Sequence, residues 1–237
     1  NSDGKILGLK TKIIDNVGAY IRAPEPGCLF RPLGNFTGPY QIPNVVIDGN
    51  VIVSNKCPTG PNRGYGCQQT YFGLERMIDL IALKLNKDPA EVRLTNLIQP
   101  TQFPYTTPTG GIYDAGNYPK VFNQVLNLSN YSNLRKLQIK KRKEGKFFGI
   151  GIGLAVDPSA SNMGYVTVAV PPEIRESPNY NPKSGNLSTA SVKIDISGKV
   201  VAEVDTNPQG QGHETVVAQI VANELGIKPE DVSVNSN

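Results

Sequence analysis

Tryptophan is absent from this chain, histidine occurs once, and cysteine occurs only three times in 237 residues. Each scarcity removes a class of chemistry. With His213 alone, a zinc centre built on imidazoles lacks companion ligands. A Ser-His-Asp constellation cannot be assigned either, because Glu214 lies one step away and helix neighbours at that step do not face each other. Cys28, Cys57 and Cys67 are an odd number without zinc-finger spacing, and they fall short of the four thiolates of an all-cysteine iron–sulfur cluster. They read as free thiols of a reducing compartment, which points to the cytoplasm, and no metal-ligand set is assigned. No apolar run reaches the roughly 20 residues that cross a bilayer, and no leader pattern opens the chain. A net charge of +4 is modest. The one basic run, Arg135 to Lys146, lacks the interleaved aromatics of a nucleic-acid surface and reads as a solvated linker face.

Glycine and polar side chains are present where the scarce residues are not. Pro208-Gln-Gly-Gln-Gly-His-Glu-Thr215 lies between a β-branched stretch, residues 190–204 with a turn at Ser197-Gly198, and an apolar stretch, residues 216–225, that reads as a helix. Strand, glycine loop and helix in that order aim backbone N–H groups at whatever sits over the loop. Gly210 and Gly212 carry no Cβ and let a ligand approach the main chain. Gln209, Gln211, His213 and Thr215 add side-chain donors. The loop reads as a site for a phosphate-bearing ligand, and the same residues fit a tight turn that binds nothing.

A second loop, Cys57 to Cys67, echoes this plan. It follows a β-rich stretch, residues 45–55, with a turn expected at Asp48-Gly49-Asn50. It precedes a helix over residues 69–85, where Tyr71, Leu74, Ile78, Ile81 and Leu85 recur at three- and four-residue steps. Asp88-Pro89 caps and starts a further short helix. Arg63 supplies a forked donor for an anion. The residues suggest two glycine loops facing one large anionic ligand.

The string Gly-Gln-Gly-His-Glu-Thr, followed by Ala218-Gln-Ile-Val-Ala-Asn-Glu-Leu-Gly226, resembles the molybdopterin-binding large subunit of molybdenum hydroxylases, the xanthine oxidase, aldehyde oxidoreductase and carbon monoxide dehydrogenase family. Arg63-Gly-Tyr-Gly66 resembles the Arg-Gly-aromatic-Gly segment of those subunits, Gly38-Pro-Tyr-Gln-Ile-Pro-Asn44 their Tyr-x-Ile-Pro stretch, and Phe148-Gly-Ile-Gly-Ile-Gly-Leu154 their buried glycine strand. The resemblance implies cofactor contacts from Arg63, Gly64, Gln209, Gly210, Gln211, Gly212, His213, Glu214 and Thr215, and a substrate pocket at Tyr65 with Arg31 as a further candidate. It implies a molybdenum–molybdopterin cofactor, in dinucleotide form, with FAD and 2Fe–2S clusters on partner subunits. The carbon monoxide dehydrogenase branch carries a copper-bearing cysteine where this chain has Gly64, so an aldehyde or N-heterocycle is the expected substrate. The family's catalytic glutamate, in a Gly-x-Gly-Glu segment, has no counterpart here. No catalytic residue is therefore assigned, the chain is expected to be an internal piece of a larger subunit, truncated at both ends, and on its own it is expected to be inactive.

The fold expected is α+β, with glycine loops at helix N-termini. Strands are expected over residues 6–20, 45–55, 147–156 and 191–204, and helices over residues 69–85 and 215–225. A division near Lys140 separates two molybdopterin-binding segments, 1–140 and 141–237. A strand over 164–170 and a long excursion over 171–185 complete the reading. Partners are the remaining segments of the large subunit, the FAD and iron–sulfur subunits and a small-molecule substrate, without nucleic acid or membrane. Two alternatives stand beside this reading: a non-catalytic phosphate- or nucleotide-binding module, and an assembly fragment that binds no ligand.

Overall fold

A computed structural model describes residues 1–22, 25–157, 171–175, 177 and 188–236. The chain forms two compact units, Asn1–Lys183 and Ser184–Asn237. Helices and strands both build it, in keeping with the α+β expectation.

The first unit opens with β1 (Leu9–Asn16). A connection containing α1 (Gly27–Phe30) leads to β2 (Val45–Ile52), which pairs parallel to β1 from Leu9↔Val45 to Asn16↔Ile52. A parallel pair needs such a crossover. The turn expected at Asp48-Gly49-Asn50 does not occur: β2 runs straight through it, with Gly49 opposite Ile13. The glycine serves close packing instead, since a Cβ there would stand 3.1 Å from Leu29 Cδ1.

The helix expected over 69–85 is α2 (Cys67–Leu85), started two residues earlier by Gly66 and ended by Asn86 in the left-handed region. Its buried residues Tyr71, Leu74, Ile78 and Ala82 recur every three or four positions. They pack with Tyr40, Ile42, Val92, Leu97 and Phe122 into the main core. Helix α3 (Pro89–Asn96) begins as expected: Asp88 caps it by accepting from Ala90 N at 2.8 Å, and Pro89 occupies the first helical position.

A short hairpin of β3 (Tyr105–Thr106) and β4 (Ile112–Tyr113) precedes α4 (Tyr118–Leu128), which Asn117 caps through Lys120 N. Most of the basic run belongs to helix α5 (Tyr131–Lys143), not to a linker. Its charges hid the helix because the face they leave is narrow, and Arg135 is drawn inward by Asp88 at 3.0 Å.

The strand expected over 147–156 is also absent, since these residues find no neighbouring strand among the described residues. Side chains take the place of a ladder. Gln138 Nε2 donates to Phe148 O at 2.9 Å and Arg93 Nη2 to Ile152 O at 2.9 Å, while the Asn35 amide and the Tyr71 hydroxyl both reach Val156 O. The strand read at 164–170 lies outside the described residues, as does most of the 171–185 stretch, of which the short helix α6 (Pro172–Arg175) is described.

In the second unit β5 (Ala190–Ile194) and β6 (Val200–Val204) form the expected hairpin. Its turn is held by Asp195 Oδ1, which accepts from Ser197 N and Lys199 N. Helix α7 (His213–Leu225) crosses over to β7 (Val232–Ser236), which pairs parallel to β6. Val200, Ala202, Ala218, Ala222 and Val232 form a small core beneath this helix.

Candidate functional site

Both glycine loops fold as loops that end at helix N-termini, and each belongs to a different unit. In the later loop Gly210 and Gly212 take φ of +90° and +71°, a region that costs any residue with a Cβ. Gly212 starts α7 without a side-chain cap, and a Cβ on it would meet nothing within 4 Å. The space beside Gly212 at the start of α7 is therefore open, and no side chain caps the first turn. The Nδ1 atom of His213 is buried and has no hydrogen-bond partner among the described residues. Gln211 closes the loop by accepting from Gln209 N, and Thr215 is exposed in the first turn. Glu214 is tied to the sheet, where its Oε1 accepts from Ser236 Oγ at 3.2 Å. Farther back, the Asp205 carboxyl is held below its usual range by hydrogen bonds from the Ser188 hydroxyl and Thr189 N, which pins the end of β6.

In the earlier loop Gly64 and Gly66 take φ of +78° and +79° on either side of Tyr65. Gly66 lies against α1, where a Cβ would stand 2.5 Å from Cys28 O. Arg63 is exposed, and its carbonyl accepts from Gln68 Nε2 at 2.7 Å, which fastens the loop to α2.

Tyr65 and Arg31, the two substrate-pocket candidates, meet. The Arg31 side chain, 8% exposed, lies with its guanidinium carbon 5.0 Å from the centroid of the Tyr65 ring. Its Nη1 donates to Tyr65 O at 3.0 Å and to Cys67 Sγ at 3.2 Å, and its Nη2 pairs with Asp157 Oδ1 at 3.1 Å. Asn35 and Tyr71 are bonded to each other at 2.6 Å behind Cys67.

Cys67 is buried, and burial pushes its thiol up to about 11 against the pull of Arg31, so it stays protonated at neutral pH. Cys28 is pushed up to about 12 by burial and by its hydrogen bond to Glu25. Asn35, Tyr71 and Asp157 were not read from the sequence as part of this cluster, and no spacing signal links them. No group of three or more His, Cys, Asp or Glu able to hold a metal ion occurs among the described residues. No described helix is long and apolar enough to cross a membrane.

Models of the molybdopterin cofactor-binding domain match residues 1–97 and 124–237. The chain is 31% identical to the nicotine 6-hydroxylase large subunit of Paenarthrobacter nicotinovorans, over 100% of its own length and 28% of that protein. It is 34% identical to the carbon monoxide dehydrogenase large chain of Hydrogenophaga pseudoflava, over 98% of its length and 28% of that protein. Its fold is similar to quinoline 2-oxidoreductase from Pseudomonas putida 86, with a TM-score of 0.79 and 29% identity over 100% of this chain and 29% of that one. The chain therefore spans little more than a quarter of the length of the curated relatives it matches.

Proposed function

The chain belongs to the molybdopterin cofactor-binding domain family, and from that membership we propose that it builds part of the cofactor site of a molybdenum hydroxylase large subunit. The observation that carries the reading is the start of α7. An uncapped helix N-terminus, two glycines at positive φ and open space over Gly212 fit a phosphate-bearing group. The unpartnered Nδ1 of His213 adds a polar atom able to take part in holding it.

In this proposal Gln209, Gly210, Gln211, Gly212, His213, Glu214 and Thr215 surround the phosphate end of a pterin dinucleotide, Glu214 from the position Ser236 fixes. In the first unit, Arg63 and Gly64 are proposed as anion contacts of their own, with the guanidinium offering a forked donor pair. Tyr65 faces the substrate and Arg31 lies behind it. When bound, the molybdenum cofactor supplies the redox centre at which a water-derived oxygen is added to a substrate carbon. The residues of this chain hold and orient that centre and shape the approach to it. An N-heterocycle suits the reading best, since similar proteins carry nicotine and quinoline in their names. The rest of the large subunit, an FAD subunit and an iron–sulfur subunit complete the enzyme, in the cytoplasm, and turnover requires them.

Two substitutions test this in the assembled enzyme. Gly212→Val puts a branched side chain where the phosphate approaches and strains φ by roughly 1–2 kcal/mol. Cofactor occupancy, read as molybdenum and pterin per protein, is expected to fall about tenfold while the fold persists. Arg63→Ala removes a charge-assisted hydrogen bond worth about 2 kcal/mol, and occupancy falls again. Full molybdenum and pterin content with normal turnover in both variants would sink the reading that these two loops hold the cofactor.

A further inference from the structure

An arginine taken out of water at Arg31 costs several kcal/mol unless its donors are met, so what they meet indicates what the residue is for. Two of its contacts converge on one residue. The guanidinium donates to the Tyr65 carbonyl at 3.0 Å and sits 5.0 Å from the centroid of the Tyr65 ring. Main chain and side chain of Tyr65 are thus gripped together.

Tyr65 needs such a grip. Gly64 and Gly66 flank it at φ of +78° and +79°, and neither neighbour carries a side chain that could help to fix the Tyr65 ring. The grip is itself anchored. Asp157 pairs with Arg31 at 3.1 Å, and the preceding carbonyl, that of Val156, is held by both Asn35 and Tyr71. A continuous polar chain therefore runs from α2 through Val156, Asp157 and Arg31 to Tyr65.

We infer that Arg31 and Asp157 are a positioning pair that sets the orientation of the Tyr65 ring and through it the fit of the substrate. Arg31 acts through Tyr65 and does not grip the substrate itself. The inference rests on the reading, proposed above, that Tyr65 faces the substrate. Lysine cannot replace this arginine: a point charge can pair with Asp157 but cannot at the same time reach the Tyr65 carbonyl and sit over the ring.

The test uses the assembled enzyme with Arg31→Lys, Asp157→Asn and Tyr65→Leu, singly, and Arg31→Lys combined with Tyr65→Leu. Asp157 is 55% exposed and Asn keeps an acceptor oxygen for Arg31, so Asp157→Asn is the milder probe of the pair. Three quantities are read: amide hydrogen exchange over residues 62–67, KM and kcat for an N-heterocyclic substrate, and molybdenum content. Arg31→Lys and Asp157→Asn are expected to speed exchange in that loop about tenfold and raise KM about tenfold, with kcat and molybdenum content little changed. In the Tyr65→Leu background Arg31→Lys adds nothing further to KM. If Tyr65→Leu raises KM while Arg31→Lys and Asp157→Asn leave exchange and KM as they were, the positioning role is overturned and the substrate reading of Tyr65 survives. If exchange rises in the pair variants but KM is unmoved in all of them, Tyr65 does not face the substrate, and the specificity role is overturned with it.

Discussion

Arg93→Ala is expected to destabilise the first unit by about 3–5 kcal/mol. Arg93 is 0% exposed. Its Nε donates to Glu75 Oε2 at 2.8 Å, its Nη1 to Asp79 Oδ1 at 2.9 Å and to Pro89 O at 3.1 Å, and its Nη2 to Glu75 O at 3.2 Å and Ile152 O at 2.9 Å. Tyr40 completes the group by donating to Glu75 Oε1 at 2.6 Å. Truncation leaves the Glu75 carboxylate buried without its cation and frees two helices and residue 152 at once.

The scarcity of one fluorophore makes the measurement clean. With no tryptophan, and all ten tyrosines at or before position 180, intrinsic fluorescence reports the first unit alone. A urea midpoint followed by tyrosine fluorescence is expected to drop sharply for Arg93→Ala and less for Tyr40→Phe, which removes one hydrogen bond to a carboxylate, worth about 1.5–3 kcal/mol. Equal, small shifts in both variants would mean the network contributes little.

Gly66→Ala is expected to cost about 2–5 kcal/mol. Its φ of +79° alone costs roughly 1–2 kcal/mol with a Cβ present. The new Cβ would also lie 2.5 Å from the Cys28 carbonyl, a backbone atom that cannot rotate away, and the forced shift adds roughly 1–3 kcal/mol. Gly64→Ala is the control in the same loop. It has nearly the same φ, but its nearest neighbour is the end of the Gln68 side chain at 3.2 Å, which can shift at the cost of its bond to Arg63 O where a backbone carbonyl cannot, so the loss should be smaller. Both are read by the same fluorescence midpoint. A Gly64→Ala loss as large as that of Gly66→Ala would remove the Cys28 contact as the cause.

These two sites mark where the sequence was readable and where it was not. Helix α2 was legible because its apolar residues repeat at helical steps, and the start of α3 because Asp88-Pro89 is a local signal with a mechanism. The hairpin of β5 and β6 and both glycine loops were legible for the same reason: each is specified by neighbours in sequence. Arg93 was not legible. Its partners Glu75, Asp79 and Ile152 are brought to it by tertiary packing, and a charged residue at an apolar phase of a short helix reads as surface until its partners are known.

Residues 147–156 failed in the opposite sense, since their alternation of glycine and aliphatic residues has strand character while their partners are side chains. Gly49 was misread because glycine beside Asp and Asn usually marks a turn, and the reason for it here, Leu29, is distant in sequence. Arg31 and Tyr65 were both singled out, yet their contact became visible only with the fold, because the chain between them carries no periodic signal.

The three carbonyls that anchor the glycine stretch are those of Phe148, Ile152 and Val156. They fall four residues apart, and in an extended chain every second position shares one edge, so all three lie on the same edge. The side chains that donate to this edge are Gln138 of α5, Arg93 of α3 and Tyr71 of α2, with Asn35 beside Tyr71, so the segment is read as a ruler is read, at three graduations, each met from a different helix. Deleting or inserting one residue between Phe148 and Ile152 turns every later carbonyl to the wrong edge, and no shift of the chain restores all three at once. The stretch thus tolerates changes in side-chain size better than changes in length. It also carries Asp157 to Arg31, so its length sets where that ion pair can form.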